Sequence, residues 1–229
     1  SRTPGLNVQV VKATFSLATL AKKRGDLKAA SNLWRQVLAE YEARGLQPGT
    51  PGAVPAAEAR FELVEFIYRD YMAISLSGSQ KRMSAALAKK NQLLAQLEEE
   101  YSQVLPFQAL DWTIAASYRL GEIYDAFAKT LYAAPEPTGL NDEELDLFIV
   151  MIEDEGLKYE NVAIERYETT VERSRQLKVT NSWARLALKA INRYKPAEYP
   201  LFKEEKRALL DDGLYSSQPP IVPAPQGGP

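Results

Sequence analysis

The stretch WTIAASYRLGEIYDAFAKTL, residues 112–131, decides the fold. Its bulky apolar residues recur as Trp112, Ala116, Leu120, Ile123, Phe127 and Leu131. Steps of four and three keep these side chains on one face of an α-helix, whereas a strand would alternate by two. A second stretch repeats the pattern as Leu27, Ala30, Trp34, Val37 and Tyr41. Turn residues are scarce around both. Residues 56–134 hold only Gly78, Pro106 and Gly121 as breakers, and residues 141–195 only Gly156. Runs that long exclude a meander of short strands. With 30 Ala and 28 Leu in 229 residues, both strong helix formers, the chain reads as all-α.

Working outward, helices are expected at 7–23, 26–44, 56–76, 79–105, 107–133, 141–178, 181–194 and 198–211. Arg24-Gly25-Asp26 is a break tight enough to fold the first two into an antiparallel hairpin. Residues 45–55, GLQPGTPGAVP, and 133–139, AAPEPTG, are loops. Pro106 fits a helix start, where its missing N–H is not needed. Asn141 and Glu144 have the spacing of a capping box for the longest helix, and Gly156 in its apolar stripe marks a close helix approach or a kink. The expected organisation is one helical domain over 1–212 and a flexible tail over 213–229, an uncharged segment with five Pro and three Gly.

Composition narrows the chemistry. The chain has no cysteine and no histidine, which removes thiol nucleophiles, disulfides, histidine bases and ordinary zinc sites. A net charge of -2 argues against broad nucleic-acid binding. No run of ~18 apolar residues offers a transmembrane segment. Neither Gly-rich phosphate motif occurs, and nothing singles out a carboxylate pair for acid–base work. The chain opens Ser1-Arg2-Thr3, without Met or a signal-peptide pattern, and reads as a processed or excised piece. These features point to a non-enzymatic protein with no cofactor and no metal.

Two charged regions stand out. Residues 130–157 carry Glu136, Asp142, Glu143, Glu144, Asp146, Glu153, Asp154 and Glu155 with no basic residue. They read either as a solvated helix end matched to the macrodipole or as a docking patch for a basic partner, with a weak divalent-cation site set aside because no Asp-x-Asp-x-Asp-Gly loop is present. Lys22, Lys23, Arg24 and Lys28 cluster at the first turn and read the same two ways, with acidic peptides or lipid heads as ligands. Trp34, Trp112 and Trp183 fall in helical apolar stripes and read as core.

Residues 11–44 resemble a tetratricopeptide repeat. Leu17 and Ala18 match the large–small pair of its first helix, Gly25-Asp26 its turn, and Ala30 and Trp34 its second helix. Thr14 and Ala21 depart from the family's Trp and Tyr. SYRLGEIYD, 117–125, and RFELVEFIY, 60–68, resemble further first helices. The small-residue slots are then Ala18, Val64 and Gly121, spaced 46 and 57 residues apart against a family period of ~34. The resemblance implies a degenerate α-solenoid of antiparallel helix pairs, about eight helices, acting as a scaffold that binds a protein or peptide. Residues 110–200 are in addition similar to envelope-associated repeat proteins of myxobacteria, some linked to gliding motility. That likeness rests on Pro135/Pro137, Trp183 and PAEYP at 196–200, and it implies a periplasmic or envelope setting.

In the repeat family, partners meet the first helices at set positions. Counted along this chain these are Lys12, Phe15, Thr19 and Lys22, then Glu58, Phe61, Glu65 and Tyr68, then Ala115, Tyr118, Glu122 and Asp125. The resemblance thus implies an aromatic ladder of Phe15, Phe61 and Tyr118 with positive charge at one end and negative at the other; the alternative is that these aromatics pack internally. The family's Lys/Asn set for a terminal carboxylate is missing, so carboxylate capture is not expected. The rival readings are a helical enzyme domain of cell-wall glycosidase type, marked by a desolvated carboxylate in a pocket, and an oligomerisation spacer.

Overall fold

The computed structural model of the chain describes residues 4–201. Among them the protein is all-helical: α1 Pro4–Lys23, α2 Leu27–Ala43, α3 Ala53–Met72, α4 Gln80–Ser102, α5 Leu110–Tyr132, α6 Asp142–Gln176 and α7 Ser182–Asn192, with a 3-10 turn at Leu105–Phe107. Among the described residues there are seven α-helices rather than about eight. Of the eighth expected helix, residues 198–201 are turn and irregular backbone, and 202–211 lie outside the described residues, as does the tail 213–229. No helix among the described residues is long and apolar enough to cross a membrane.

Local chemistry accounts for most boundaries. Gly25 takes φ +81°, and Asp26 accepts from the Ala29 amide to cap α2. Asn141 accepts from the Glu144 amide while Glu144 accepts from the Asn141 amide, a complete capping box at α6. α3 begins at Ala53, earlier than the expected 56, because Pro55 falls in the first turn, where a missing N–H breaks no helical bond. Pro106 does not start a helix. It sits in the 3-10 turn, Gln108 follows in the left-handed region at φ 52°, and α5 starts only at Leu110.

Each odd-numbered helix packs on the even helices before and after it and on the next odd helix: α1 on α3, α3 on α5, α5 on α7. Three apolar clusters follow this order. Val11, Trp34 and Val37 join α1 and α2 to α3. Phe61, Leu97, Tyr101 and Ile123 join α3, α4 and α5. Tyr118, Tyr167, Leu188 and Ile191 join α5, α6 and α7. Gly121 lets α6 approach α5, since a Cβ there would sit 2.7 Å from the Tyr167 ring. Gly156 does the same against Tyr132, in a helix that is continuous from Asp142 to Gln176. Lys90, 2% exposed, donates to the Tyr71 and Ile74 carbonyls at 3.1 Å each and so caps the end of α3 from α4. Burial lowers its ammonium pKa.

Candidate partner-binding face

Of the residues expected to bind a partner, Glu65, Tyr68, Tyr118 and Glu122 converge, and they do so on a residue that sequence reading did not single out. Arg119 donates from Nε and Nη2 to Glu65 at 2.9 and 2.8 Å and from Nη1 to Glu122. Its guanidinium lies 4.1 Å from the Tyr68 ring centroid and 5.1 Å from that of Trp183. Tyr118 donates to Glu122 at 2.9 Å, and Tyr101 donates to Glu65. Burial, then the Glu122 charge, pushes the Tyr68 and Tyr118 phenols up, so both remain donors at any physiological pH. The i,i+3 spacing of Arg119 and Glu122 was the readable signal. The tie to Glu65, 54 residues away, was not.

Asp125 belongs to a neighbouring network. It is 3% exposed and accepts from Lys129, Arg193, Tyr167 and Tyr194. Burial alone would raise its carboxyl, but the hydrogen bond from Lys129 and the charges of Arg193 and Lys129 outweigh it and hold the pKa below the ordinary value. With its lone pairs engaged, Asp125 ties α5 to α6 and to the turn that follows α7.

The aromatic ladder is not continuous. Phe15 is half-buried, but Phe61 and Tyr118 are 3% and 7% exposed. The Phe61 ring centroid lies 5.1 Å from Trp112, 5.4 Å from Trp183 and 5.6 Å from Tyr101, and Tyr118 lies 5.8 Å from both Tyr167 and Trp183. The physical reason is α7. Its Trp183 inserts between the two rungs, so side chains placed to face a partner face the next helix instead.

What stays open is a cleft of about 290 Å³, lined from α3 by Phe61, Glu65 and Phe66. Trp112 and Trp183 wall it from α5 and α7, and Trp34 from α2. Its rim is charged and paired: Lys22 Nζ lies 2.6 Å from Glu62, and the Arg69 guanidinium lies 4.6 Å from the Phe66 ring centroid. Lys12 and Phe15 lie elsewhere, in a shallower cleft of about 410 Å³ with Pro51, Val54, Pro55 and Glu58. Burial raises the Glu58 carboxyl to about 7, with Glu62 adding and Lys22 opposing. Among the described residues, no three His, Cys, Asp or Glu side chains are grouped to hold a metal ion. No protein-family model, curated protein or solved structure matches the chain.

Proposed function

We propose that the protein is a non-enzymatic scaffold, a degenerate tetratricopeptide-like solenoid that holds a protein or peptide partner against α1, α3, α5 and α7. The observation that carries this reading is the open aromatic cleft on α3, walled by three tryptophans and rimmed by Lys22 and Arg69. Such a site takes a partner's apolar anchor residue, with the rim setting direction through charge. The row of odd-helix contacts and the buried small-residue slots at Ala18, Val64 and Gly121 support the solenoid reading. A place in a bacterial envelope complex, of motility type, belongs to the same proposal and rests on the sequence likeness over 110–200.

Affinity capture from native extracts tests it. A partner bound by the parent should be lost with Lys22→Glu/Arg69→Glu on the exposed rim and kept with Lys81→Glu on α4. An unchanged partner set in the rim variant refutes the cleft as the binding site.

Glu58, poised near neutrality beside an open cleft, is what favours the enzyme reading. It ranks second because no other carboxylate lines that cleft, and acid–base hydrolysis of a glycoside needs two.

A further inference from the structure

α6 is longer than the helix it packs on. α5 ends at Tyr132, whose ring lies against Gly156, so the part of α6 before Gly156 overhangs by ~20 Å. The overhang carries LDLFIVMI at 145–152, in which only Asp146 is polar. Leu145, Phe148 and Ile152 form a half-buried stripe, and Ile152 packs on the cluster of α3, α4 and α5. Leu147, Val150 and Met151, at i, i+3 and i+4, face outward and are 71%, 54% and 57% exposed. A helix that is apolar on both faces is built to be covered on both.

The flanking charge selects what covers it. Glu143 lies one turn before Leu147 on the outward stripe, and Asp154 one turn after Val150. With Asp146 beside them, none of the three forms an ion pair among the described residues. A second copy is a poor fit. Antiparallel pairing centred on Val150 sets Asp146 against Asp154, and parallel pairing sets every carboxylate beside its own copy. An anionic membrane surface meets the same repulsion. We propose that the α6 overhang docks a basic amphipathic helix of a partner protein, its apolar stripe on Leu147, Val150 and Met151 and its Lys or Arg residues on Glu143, Asp146 and Asp154. This face lies on other helices than the α3 cleft, and the inference does not depend on that reading.

The chain has no cysteine, so Leu157→Cys gives the full protein one thiol at the edge of the stripe for an environment-sensitive dye. The probe is a synthetic Leu/Lys amphipathic helix of about 18 residues. The control has the same Leu stripe with Glu in place of Lys. The Lys helix should shift the dye and bind at least ~10-fold more tightly than the Glu helix, with the gap closing in about 0.5 M salt. Leu147→Ser/Val150→Ser/Met151→Ser alters only exposed side chains, so its melt should match the parent while its affinity falls at least ~10-fold. Glu143→Gln/Asp146→Asn/Asp154→Asn should erase the preference for Lys over Glu. Lys22→Glu/Arg69→Glu in the cleft should leave binding intact. Equal binding of the two helices overturns the proposal, as does no binding of the Lys helix. A concentration-dependent dimer that already buries the dye, or a dye shift with lipid vesicles and not with the Lys helix, also overturns it.

Discussion

The Arg119 guanidinium on α5 grips both carboxylate oxygens of Glu65 on α3, Nε at 2.9 Å and Nη2 at 2.8 Å. The side chains are only 15% and 23% exposed, so the pair is poorly screened, and Glu122 and Tyr101 complete it. Removing one member leaves partly buried charge behind. Arg119→Leu should therefore lower unfolding free energy by ~2–4 kcal/mol in a urea titration. Arg119→Lys should lose ~1–2 kcal/mol, because an ammonium cannot match the two-point geometry. The double variant Arg119→Leu/Glu65→Leu should cost less than the sum of its parts. Additive losses would show that the clamp contributes nothing of its own.

Gly121 and Gly156 look alike in sequence and should respond differently. A Cβ on Gly121 meets the Tyr167 ring at 2.7 Å, and Tyr167 is 1% exposed with its hydroxyl bonded to Asp125. That ring has nowhere to go. Gly121→Ala should cost ~1–3 kcal/mol and Gly121→Val more. A Cβ on Gly156 also overlaps the Tyr132 ring, but Tyr132 is 42% exposed at the end of α5 and can swing outward. The gain in helix propensity, about 1 kcal/mol, offsets that movement. Thermal melts should place Gly156→Ala within a few degrees of the parent and Gly121→Ala clearly below it. The reverse order would refute the contact argument.

Helix existence was legible because it is local. The stripe in 112–131, the Asn141/Glu144 box and the Gly25-Asp26 turn each carry their own cause. Pro55 and Pro106 misled because proline reads by position. In the first turn of α3 it costs no hydrogen bond, and before a left-handed Gln108 it sits inside a 3-10 turn that goes no further. The face assignments were harder. The repeat resemblance implies that Phe61 and Tyr118 face a partner, and what places them in the core is Trp183, more than sixty residues further along the chain. The role of Arg119 is hidden in the sequence for the same reason, since its main partner lies on another helix. The overhang of α6 was visible as an acidic run. That its apolar residues lack cover depends on where α5 stops, which periodicity does not reveal.

Glu58 should make the protein less stable as the solution becomes neutral. Its carboxyl titrates near 4.5 when unfolded and at about 7 when folded, raised by burial and then by Glu62, against Lys22. The folded state therefore holds its proton more tightly. Stability falls as pH rises from about 4.5 to about 7 and is flat with respect to this group beyond. Glu58→Gln removes the ionisation without changing shape. It should stabilise the protein by ~1–3 kcal/mol at pH 8 and by almost nothing at pH 4. Urea titrations at the two pH values check it, and equal effects at both would refute the burial argument.

Asp125 should show the opposite sign. Burial raises its carboxyl, but the Lys129 hydrogen bond and the Arg193 and Lys129 charges win, so the folded value lies below the unfolded one. The folded state binds this proton less tightly. Its contribution is then fully present above the unfolded value, about 3.9, and is lost as pH falls through the lower folded value. Asp125→Asn keeps the shape and most of the hydrogen bonds but leaves Arg193 and Lys129 without their counter-charge. At pH 7 the variant should lose ~1–2 kcal/mol, less than a fully buried pair would, because water reaches Arg193 and Lys129, 51% and 58% exposed. The loss should shrink towards zero as the parent's own carboxyl is protonated at strongly acid pH. Lys129→Met should cost much less, because Lys129 is 58% exposed and water replaces what it loses. Chemical denaturation of all three proteins at neutral and acid pH separates the cases. A loss for Asp125→Asn that persists undiminished in acid would mean that the contact stabilises by shape and hydrogen bonding, not by charge.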